Sequence, residues 1–333
     1  MRVFSFLLVF FLYSFPVFSE PNVLKCNENC GQPDLKNEFS FQAKIAMGED
    51  LWGANVTFIE NDIILSQGHI LGYYLEDKGS VPRCGADAST NPAADWKHHK
   101  NDMYIVSGKE FPKKTIIGKV IDISMRVTGE PPGYDIMIAL VDRNCKKCNN
   151  SIPIKPIPIA TQIPPINTKA RHVFIPEEDL PEQGQGIISD SHLLNGRIWG
   201  SRDNSCTRQI VKHDGKTNPP MIFGTSGSPV IIKECGKWAV HGLHGNGMDF
   251  EGFMYESLQL LQTQKEWIQS EIYRWTGRQD MLDACSKNGR KSFMPGENFE
   301  IAQLGCGKVI FEPDEPVSCK LINQSNVIDF PDF

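Results

Sequence analysis

Hydrophobic and polar positions alternate through much of the first half of the chain. The segments "FSFQAKIAM", "ANVTFIENDIILS", "KTIIGKVIDISMRV" and "DIMIAL" combine stretches of period two with valine, isoleucine and phenylalanine, which is typical of β-strands. The polar stretch "SVPRCGADASTNPAAD" predicts a long loop between them. Residues 150–167, "NSIPIKPIPIATQIPPIN", are rich in proline, which excludes a helix or a central strand. We interpret this stretch as an extended crossing between two strand-rich halves.

The second half repeats the strand pattern and then changes period. Segments such as "GSPVIIKE" and "KWAVHGLHG" again predict strands, whereas "SLQLLQTQKEWIQSEIYRW" predicts an amphipathic helix. Gly277 is the expected stop of that helix. The residues expected on its apolar face are Leu260, Leu261, Trp267, Ile268, Ile272 and Trp275. The pattern predicts an all-β chain in which two strand-rich halves, at about 35–150 and 180–258, form two barrels and a C-terminal helix follows at about 259–275.

The composition argues against a nucleic-acid partner, and the N-terminal segment predicts that the chain is secreted. The 333 residues are 40% hydrophobic and carry a net charge of −6 without a basic block, so nucleic acid is not an expected partner. One arginine precedes an apolar run that ends in small residues at Val17 and Ser19, which predicts a secretory signal over residues 1–19. The alternatives are a membrane anchor or a buried helix, but the run is short for a membrane span.

All ten cysteines follow the predicted signal, and an even number in a secreted chain favours disulfides. Cys145 and Cys148 have the spacing of half a zinc site, but no second ligand pair lies nearby in the sequence, so a disulfide is the preferred interpretation. Seven cysteines precede residue 280 and three follow it. Complete pairing therefore requires a disulfide between the domain at 20–278 and the C-terminal extension at 279–333. Sequons for N-glycosylation occur at Asn55, Asn149 and Asn323.

Three short motifs bear candidate catalytic residues. "IILSQGHIL" places His69 after an apolar strand, "GYDIMIALV" places Asp135 at the start of another, and "FGTSGSPVII" places Ser226 before a third. In this order they resemble the "LTAAHC", "DIAL" and "GDSGGP" motifs of the trypsin/chymotrypsin-like serine peptidases. The resemblance spans about residues 30–275, includes the C-terminal helix, and is similar in detail to a divergent, nematode-type branch. Each motif alone also fits an ordinary packed histidine or turn residue.

The resemblance implies a chymotrypsin-like fold of two six-stranded antiparallel β-barrels and the activity of a secreted serine endopeptidase. Ser226 would be the nucleophile, His69 the general base and Asp135 the group that orients the imidazole. The backbone amides of Gly224 and Ser226 would form the oxyanion hole. No metal or organic cofactor is expected. The expected partners are a protein or peptide substrate and a protein inhibitor, with no membrane association, and the chain is expected to be a monomer.

The sequence departs from the family where zymogens carry their activation switch. Thr225 stands in place of the aspartate that pairs with a new N-terminal amine, and no activation sequence follows Cys30. The stretch "GTSGSPV" is instead similar to "GNSGSPV" and "GTSGSPI" of bacterial glutamyl endopeptidases and viral chymotrypsin-like proteases, which lack that switch. We therefore expect activity without an activating cleavage. The altered segment at Gly245 and Asn246 keeps open a pseudoprotease that acts as a secreted binding module.

The same resemblance suggests a substrate pocket formed by Pro220, His244 and Gly247. Pro220 supplies no negative charge where trypsin carries an aspartate, which disfavours lysine and arginine substrates. His244 matches the pocket histidine of the glutamyl endopeptidases, which implies a preference for acidic residues; the alternative is a histidine that only fills space in a strand. The remaining histidines lie in no matching motif, and no role is expected for them: His98, His99, His172, His192, His213 and His241.

Overall fold

The computed structural model describes the chain from residue 32 to residue 292 with gaps. The described ranges are 32–34, 36, 38–47, 52–68, 70, 103–107, 115–128, 134–162, 164–165, 167–175, 187–195, 209–213, 225–250 and 253–292. Fifteen strands and one α-helix (α1, Lys265–Thr276) lie within these ranges. The strands are β1 (Gln32–Pro33), β2 (Gln42–Met47), β3 (Trp52–Glu60), β4 (Ile63–Ser66), β5 (Met103–Ser107), β6 (Ile116–Thr128), β7 (Tyr134–Asp142), β8 (Lys169–Phe174), β9 (Ile187–Asn195), β10 (Gln209–His213), β11 (Pro229–Glu234), β12 (Lys237–Phe250), β13 (Phe253–Leu260), β14 (Asp280–Leu282) and β15 (Arg290–Ser292). The predicted signal over residues 1–19 lies outside the described residues.

The first half forms a closed antiparallel barrel. Its strands follow one another in the order β2-β3-β4-β7-β6-β5, and β5 pairs back onto β2. The alternation seen in the sequence is the reason, since residues such as Ile45, Val56 and Phe58 turn into the barrel and are fully buried. The predicted first six-stranded barrel is confirmed.

The second half is a curled antiparallel sheet whose ends meet. The pairings run β9-β10-β13-β12-β11-β8, and β8 pairs back onto β9, while the short β1 pairs with the first residues of β9. Residues of β11 and β12, including Ile231, Val240 and Leu243, belong to the same buried cluster as the core of the first barrel. The predicted all-β architecture of two packed six-stranded units is confirmed.

The proline-rich segment crosses between the two units in an extended conformation, as the sequence predicts. The amide of Ile157 donates to the carbonyl of Phe58 in the first barrel at 3.0 Å. Two residues further on, Ile159 forms a parallel bridge with Val240 in the second unit. Ile157 and Ile159 are buried, whereas the prolines take positions where no amide donor is required.

The C-terminal helix lies against the first barrel. Ile268 and Ile272 are fully buried, and Trp275 Nε1 donates to Asp122 Oδ2 on β6 at 2.7 Å. Gly277 ends the helix as predicted, in a left-handed conformation with φ of 70° and its amide bonded to the carbonyl of Tyr273. The predicted start at 259 is wrong, because residues 258–260 complete β13 by pairing with β12 before the chain turns.

The first part of the extension is held to both units. The hairpin β14–β15 leads through Cys285, which forms a disulfide with Cys235 in the turn between β11 and β12. On the other side, the buried carboxylate of Glu60 accepts hydrogen bonds from the amide of Leu282 at 3.0 Å and from the guanidinium of Arg290 at 3.0 Å. The crossing disulfide required by the cysteine count is therefore confirmed.

Among the described residues, no helix has the length and apolar character needed to cross a membrane.

Candidate active site

Ser226 lies in a tight turn at the entrance to β11. The amide of Ser228 donates to the carbonyl of Thr225 at 3.0 Å, which closes the turn around Ser226 and Gly227. Thr225 and Ser228 are buried, whereas Ser226 is partly exposed. Ser226 is therefore the partly exposed residue of a turn in which Thr225 and Ser228 are buried.

Gly227 allows this turn to sit directly on the first barrel. Its φ is +78°, a value that favours glycine. A Cβ at this position would overlap Ser66 Oγ and the backbone carbonyl of Asn55, both closer than 3.0 Å. The amide of Asn55 in turn donates to the carbonyl of Ser226 at 3.0 Å. The serine-bearing turn of the second unit is thus bonded to β3 of the first.

The other two motif segments lie beside the same point. The amide nitrogen of Gln67 would be 3.2 Å from a Cβ on Gly227, so the residues leading to His69 contact the Ser226 turn. Ser66 pairs with Met137 across β4 and β7, which run antiparallel. Asp135 precedes Met137 by two residues, so its backbone lies beside the continuation of β4 toward His69. The Ser226 turn therefore contacts the Ser66–Gln67 segment, which is itself paired with the strand that contains Asp135.

Several predicted site residues are not described in full. His69, Gly224 and Pro220 lie outside the described residues, and Asp135 and Gly247 are described only by their backbone, in β7 and β12. The catalytic triad, the oxyanion hole and the pocket thus remain predictions. His244 of the predicted pocket is described and is almost fully buried on β12.

Behind the Ser226 turn lies a buried polar cluster formed by His172, His244, Glu256 and Ser228. His172 Nδ1 lies 3.1 Å and His244 Nδ1 lies 3.3 Å from the same carboxylate oxygen, Glu256 Oε2. The two rings are stacked with centroids 5.2 Å apart. On its other edge, His172 Nε2 lies 2.5 Å from Ser228 Oγ. A direct chain of polar contacts thus links Glu256 to the Ser226 turn.

The strands of the second unit bring these side chains together. His172 pairs with Val230 across β8 and β11, so it lies next to the strand that follows the turn. His244 pairs with Leu258 across β12 and β13, and Glu256 is the diagonal neighbour two residues from Leu258. The register shifts between His244 and Gly247, and such a bulge changes the direction of the side chains beside it.

His241, the other histidine on β12, is neutral. His241 is fully buried, and its burial lowers the pKa from 6.5 to about 3. Gln262 Nε2 lies 2.8 Å from His241 Nδ1, and because an amide NH2 group only donates, Nδ1 is the acceptor and the ring proton is on Nε2.

The structure also bears on the predicted modifications. Cys145 and Cys148 form a disulfide, which agrees with the preferred interpretation of their spacing. Asn149 is exposed on the adjacent turn. Asn55 is fully buried, and its Nδ2 donates to the carbonyl of Ile175 at 3.0 Å, so its sequon is not available for a glycan in the folded protein. Asn323 lies outside the described residues.

Two antiparallel six-stranded units, joined by an extended crossing and closed by a C-terminal helix, define the chymotrypsin-like fold. Among solved structures, this chain is similar to human heparin binding protein, with a TM-score of 0.47 and 12% sequence identity over 72% of this chain and 94% of that chain. No protein-family model matches the chain, and no curated protein matches it significantly.

The sequence motifs indicate no role for His172 and do not single out Glu256. Both belong to the cluster behind the turn, yet His172 lies on β8 and Glu256 on β13, far apart in the chain. The only local signal was a polar, ionisable residue at a position that the strand pattern assigns to the interior. His172 is 1% exposed within "KARHVF", where alternation alone would favour an apolar residue.

Proposed function

We propose that the protein is a secreted serine endopeptidase in which Ser226 attacks the substrate carbonyl. His69 would accept the Ser226 proton and deliver one to the leaving amine, and Asp135 would hold the imidazole in the required tautomer. A serine hydroxyl is a weak nucleophile at neutral pH, so the reaction requires such a base. The disulfides at Cys145–Cys148 and Cys235–Cys285 are consistent with an oxidising compartment.

The observation that carries this proposal is the packing of the Ser226 turn against the first barrel. In a peptidase of this class, the nucleophile belongs to one unit and the base and its partner belong to the other. The bond from the Asn55 amide to the Ser226 carbonyl and the contact of Gly227 with the Ser66–Gln67 segment fit that division. Effective catalysis needs the groups held within a few tenths of an ångström, and such packing supplies a rigid support.

We further propose that no activating cleavage is needed. In the absence of an aspartate at position 225, another interaction must hold the turn in its working conformation. Ser228 Oγ donates to the carbonyl of Thr225 at 2.5 Å and also contacts His172 Nε2. These hydrogen bonds within the folded chain would stabilise the turn in place of the ion pair that a zymogen forms after cleavage.

Acidic residues are the proposed preference on the acyl side of the cut bond. Glu256 Oε2 fixes the ring of His244 from its Nδ1 side, which leaves the Nε2 edge to donate to a substrate carboxylate. The alternative is a histidine that only fills space in β12. Matched peptides that differ only in Glu, Gln, Phe or Lys test this preference, and a Glu peptide cleaved no faster than its Gln counterpart would refute it.

Labelling with a fluorophosphonate probe tests the nucleophile. We expect the intact secreted chain, with its N-terminus near Glu20, to be labelled, and the Ser226→Ala and His69→Ala variants to lose the label. Ser270→Ala is the matched control, because Ser270 is an exposed serine whose hydroxyl donates to the carbonyl of Trp267 within α1. A folded wild-type protein that takes no label would leave the secreted binding module as the function.

A further inference from the structure

The hydrogen bonds around Ser228 fix the protonation of the His172 ring. A serine hydroxyl has one proton, and Ser228 Oγ lies 2.5 Å from the carbonyl of Thr225, which can only accept. The hydroxyl proton therefore goes to Thr225, and Ser228 Oγ accepts from His172 Nε2 at 2.5 Å. His172 Nε2 carries a proton, and in the neutral ring the lone pair is then on Nδ1.

That lone pair faces a carboxylate. His172 Nδ1 lies 3.1 Å from Glu256 Oε2, and two lone pairs at that distance repel unless a cation lies between them. Glu256 and His172 are both almost fully buried, with side chains 8% and 1% exposed, so solvent does not screen the contact. His244 Nδ1 approaches the same oxygen from the other side at 3.3 Å. A proton on each Nδ1 would satisfy both contacts only if His172 were an imidazolium, because its Nε2 already carries a proton, whereas a metal ion can be bound by all three atoms with both rings neutral.

From this geometry we propose that His172, His244 and Glu256 form a buried binding site for a divalent transition metal ion of the zinc type. Two imidazole nitrogens and one carboxylate oxygen are donors that zinc prefers. Tetrahedral zinc with ligands at about 2.0–2.1 Å requires its ligand atoms about 3.3–3.5 Å apart. The two measured separations, 3.1 and 3.3 Å, are close to that requirement. One ligand atom from each residue lies within 4.8 Å of the other two, and because the two imidazole rings are stacked, metal binding would require them to rotate toward a common point.

Ser228 fits this proposal as the partner of a metal-bound histidine. A histidine that binds metal through one nitrogen generally donates its other N–H to an oxygen, which orients the ring. Ser228 Oγ takes that role toward His172, and its hydroxyl continues to Thr225 beside the predicted nucleophile. A metal here would link β8, β12 and β13 at the back of the Ser226 turn. The site does not depend on Ser226 being a nucleophile.

Metal analysis of the full secreted chain tests the proposal. After dialysis, we expect about one zinc ion per chain by mass spectrometry of the metal. Removal by a chelator followed by Co2+ is expected to give the visible ligand-field bands of a four- or five-coordinate site. Zinc returned at 100 times its Kd should raise the Tm by roughly 5–10 °C.

Variants locate the metal. Glu256→Gln and His172→Gln should abolish stoichiometric binding, and Ser228→Ala should weaken it by about 10- to 100-fold. His192→Gln is the matched control, since His192 lies on the adjacent strand β9 outside the cluster, and should bind as wild type does. Binding that survives Glu256→Gln would overturn the proposal. If the variants do not fold, the wild-type protein provides the test. Failure to bind Zn2+ or Co2+ after chelation, together with a doubly protonated His172 in 15N NMR spectra, would also overturn the proposal.

Discussion

Replacement of Gly227 by alanine is the most direct test of how the two units meet. Two independent costs are expected. The φ of +78° is unfavourable for alanine by about 1–2 kcal/mol. The added Cβ would also overlap Ser66 Oγ and the Asn55 carbonyl, and overpacking of this kind costs about 1–3 kcal/mol. Gly227→Ala should therefore destabilise the protein by about 2–5 kcal/mol.

Gly236→Ala separates the two costs. Gly236 has nearly the same φ, +79°, but a Cβ there meets nothing within 4 Å. It should lose only the conformational part, about 1–2 kcal/mol. The difference between the variants, about 1–3 kcal/mol, corresponds to roughly 2–12 °C in Tm.

Thermal unfolding of both variants, monitored by circular dichroism, measures that difference. A second substitution sharpens the test: Ser66→Ala removes the Oγ overlap but also the hydrogen bond from Ser66 Oγ to the Asn55 carbonyl at 2.7 Å, so Ser66→Ala should cost less stability in the Gly227→Ala background than in the wild type. Equal Tm values for Gly227→Ala and Gly236→Ala would refute the close approach of the Ser226 turn to β3 and β4.

Two further predictions concern the second unit and its attachment. Replacement of both Cys235 and Cys285 by serine should lower the free energy of unfolding by about 4 kcal/mol, because the disulfide closes a loop of sequence separation 50; an unchanged urea midpoint would contradict this. His241 has a pKa of about 3 in the folded protein and 6.5 as its ordinary value, so below pH 6.5 the unfolded chain binds a proton that the folded chain does not. Its contribution should therefore lower the free energy of unfolding by up to about 1.4 kcal/mol per pH unit as the pH falls from 6.5 toward 3. Urea denaturation over that range should show a shallower pH dependence for His241→Gln than for wild type, and equal slopes would disprove the assignment.

Local patterns in the sequence were sufficient for the main architecture. Strand alternation reflects which side of each strand is buried, so it predicts the two strand-rich halves, while the closure of each half into a six-stranded barrel is predicted by the resemblance of the three motifs to a known family. The proline-rich crossing and the helix stop at Gly277 follow from backbone chemistry that acts within a few residues. The number of cysteines alone predicts a disulfide across residue 280, because an odd number of cysteines on each side cannot pair completely among themselves.

Local sequence patterns do not predict contacts between residues that are far apart in the chain. Nothing near His172 in the chain indicates Glu256 or His244, since only the curling of the second sheet brings β8, β12 and β13 together. The sequon at Asn55 has the required local pattern, yet the packing of Ile175 against β3 buries it. Leu258 and Leu260 fit a helical face as well as a strand, and pairing with β12 decided between them.

The attachment of the extension to both units has a mechanical consequence. Cys285 ties it covalently to the β11–β12 turn, while Glu60 on β3 holds Leu282 and Arg290. A hinge motion that moves one unit away from the other would have to displace the extension and separate the buried carboxylate of Glu60 from Leu282 and Arg290. The extension therefore opposes hinge motion between the units, so a ligand bound between them would have to be accommodated by side chains rather than by movement of the units.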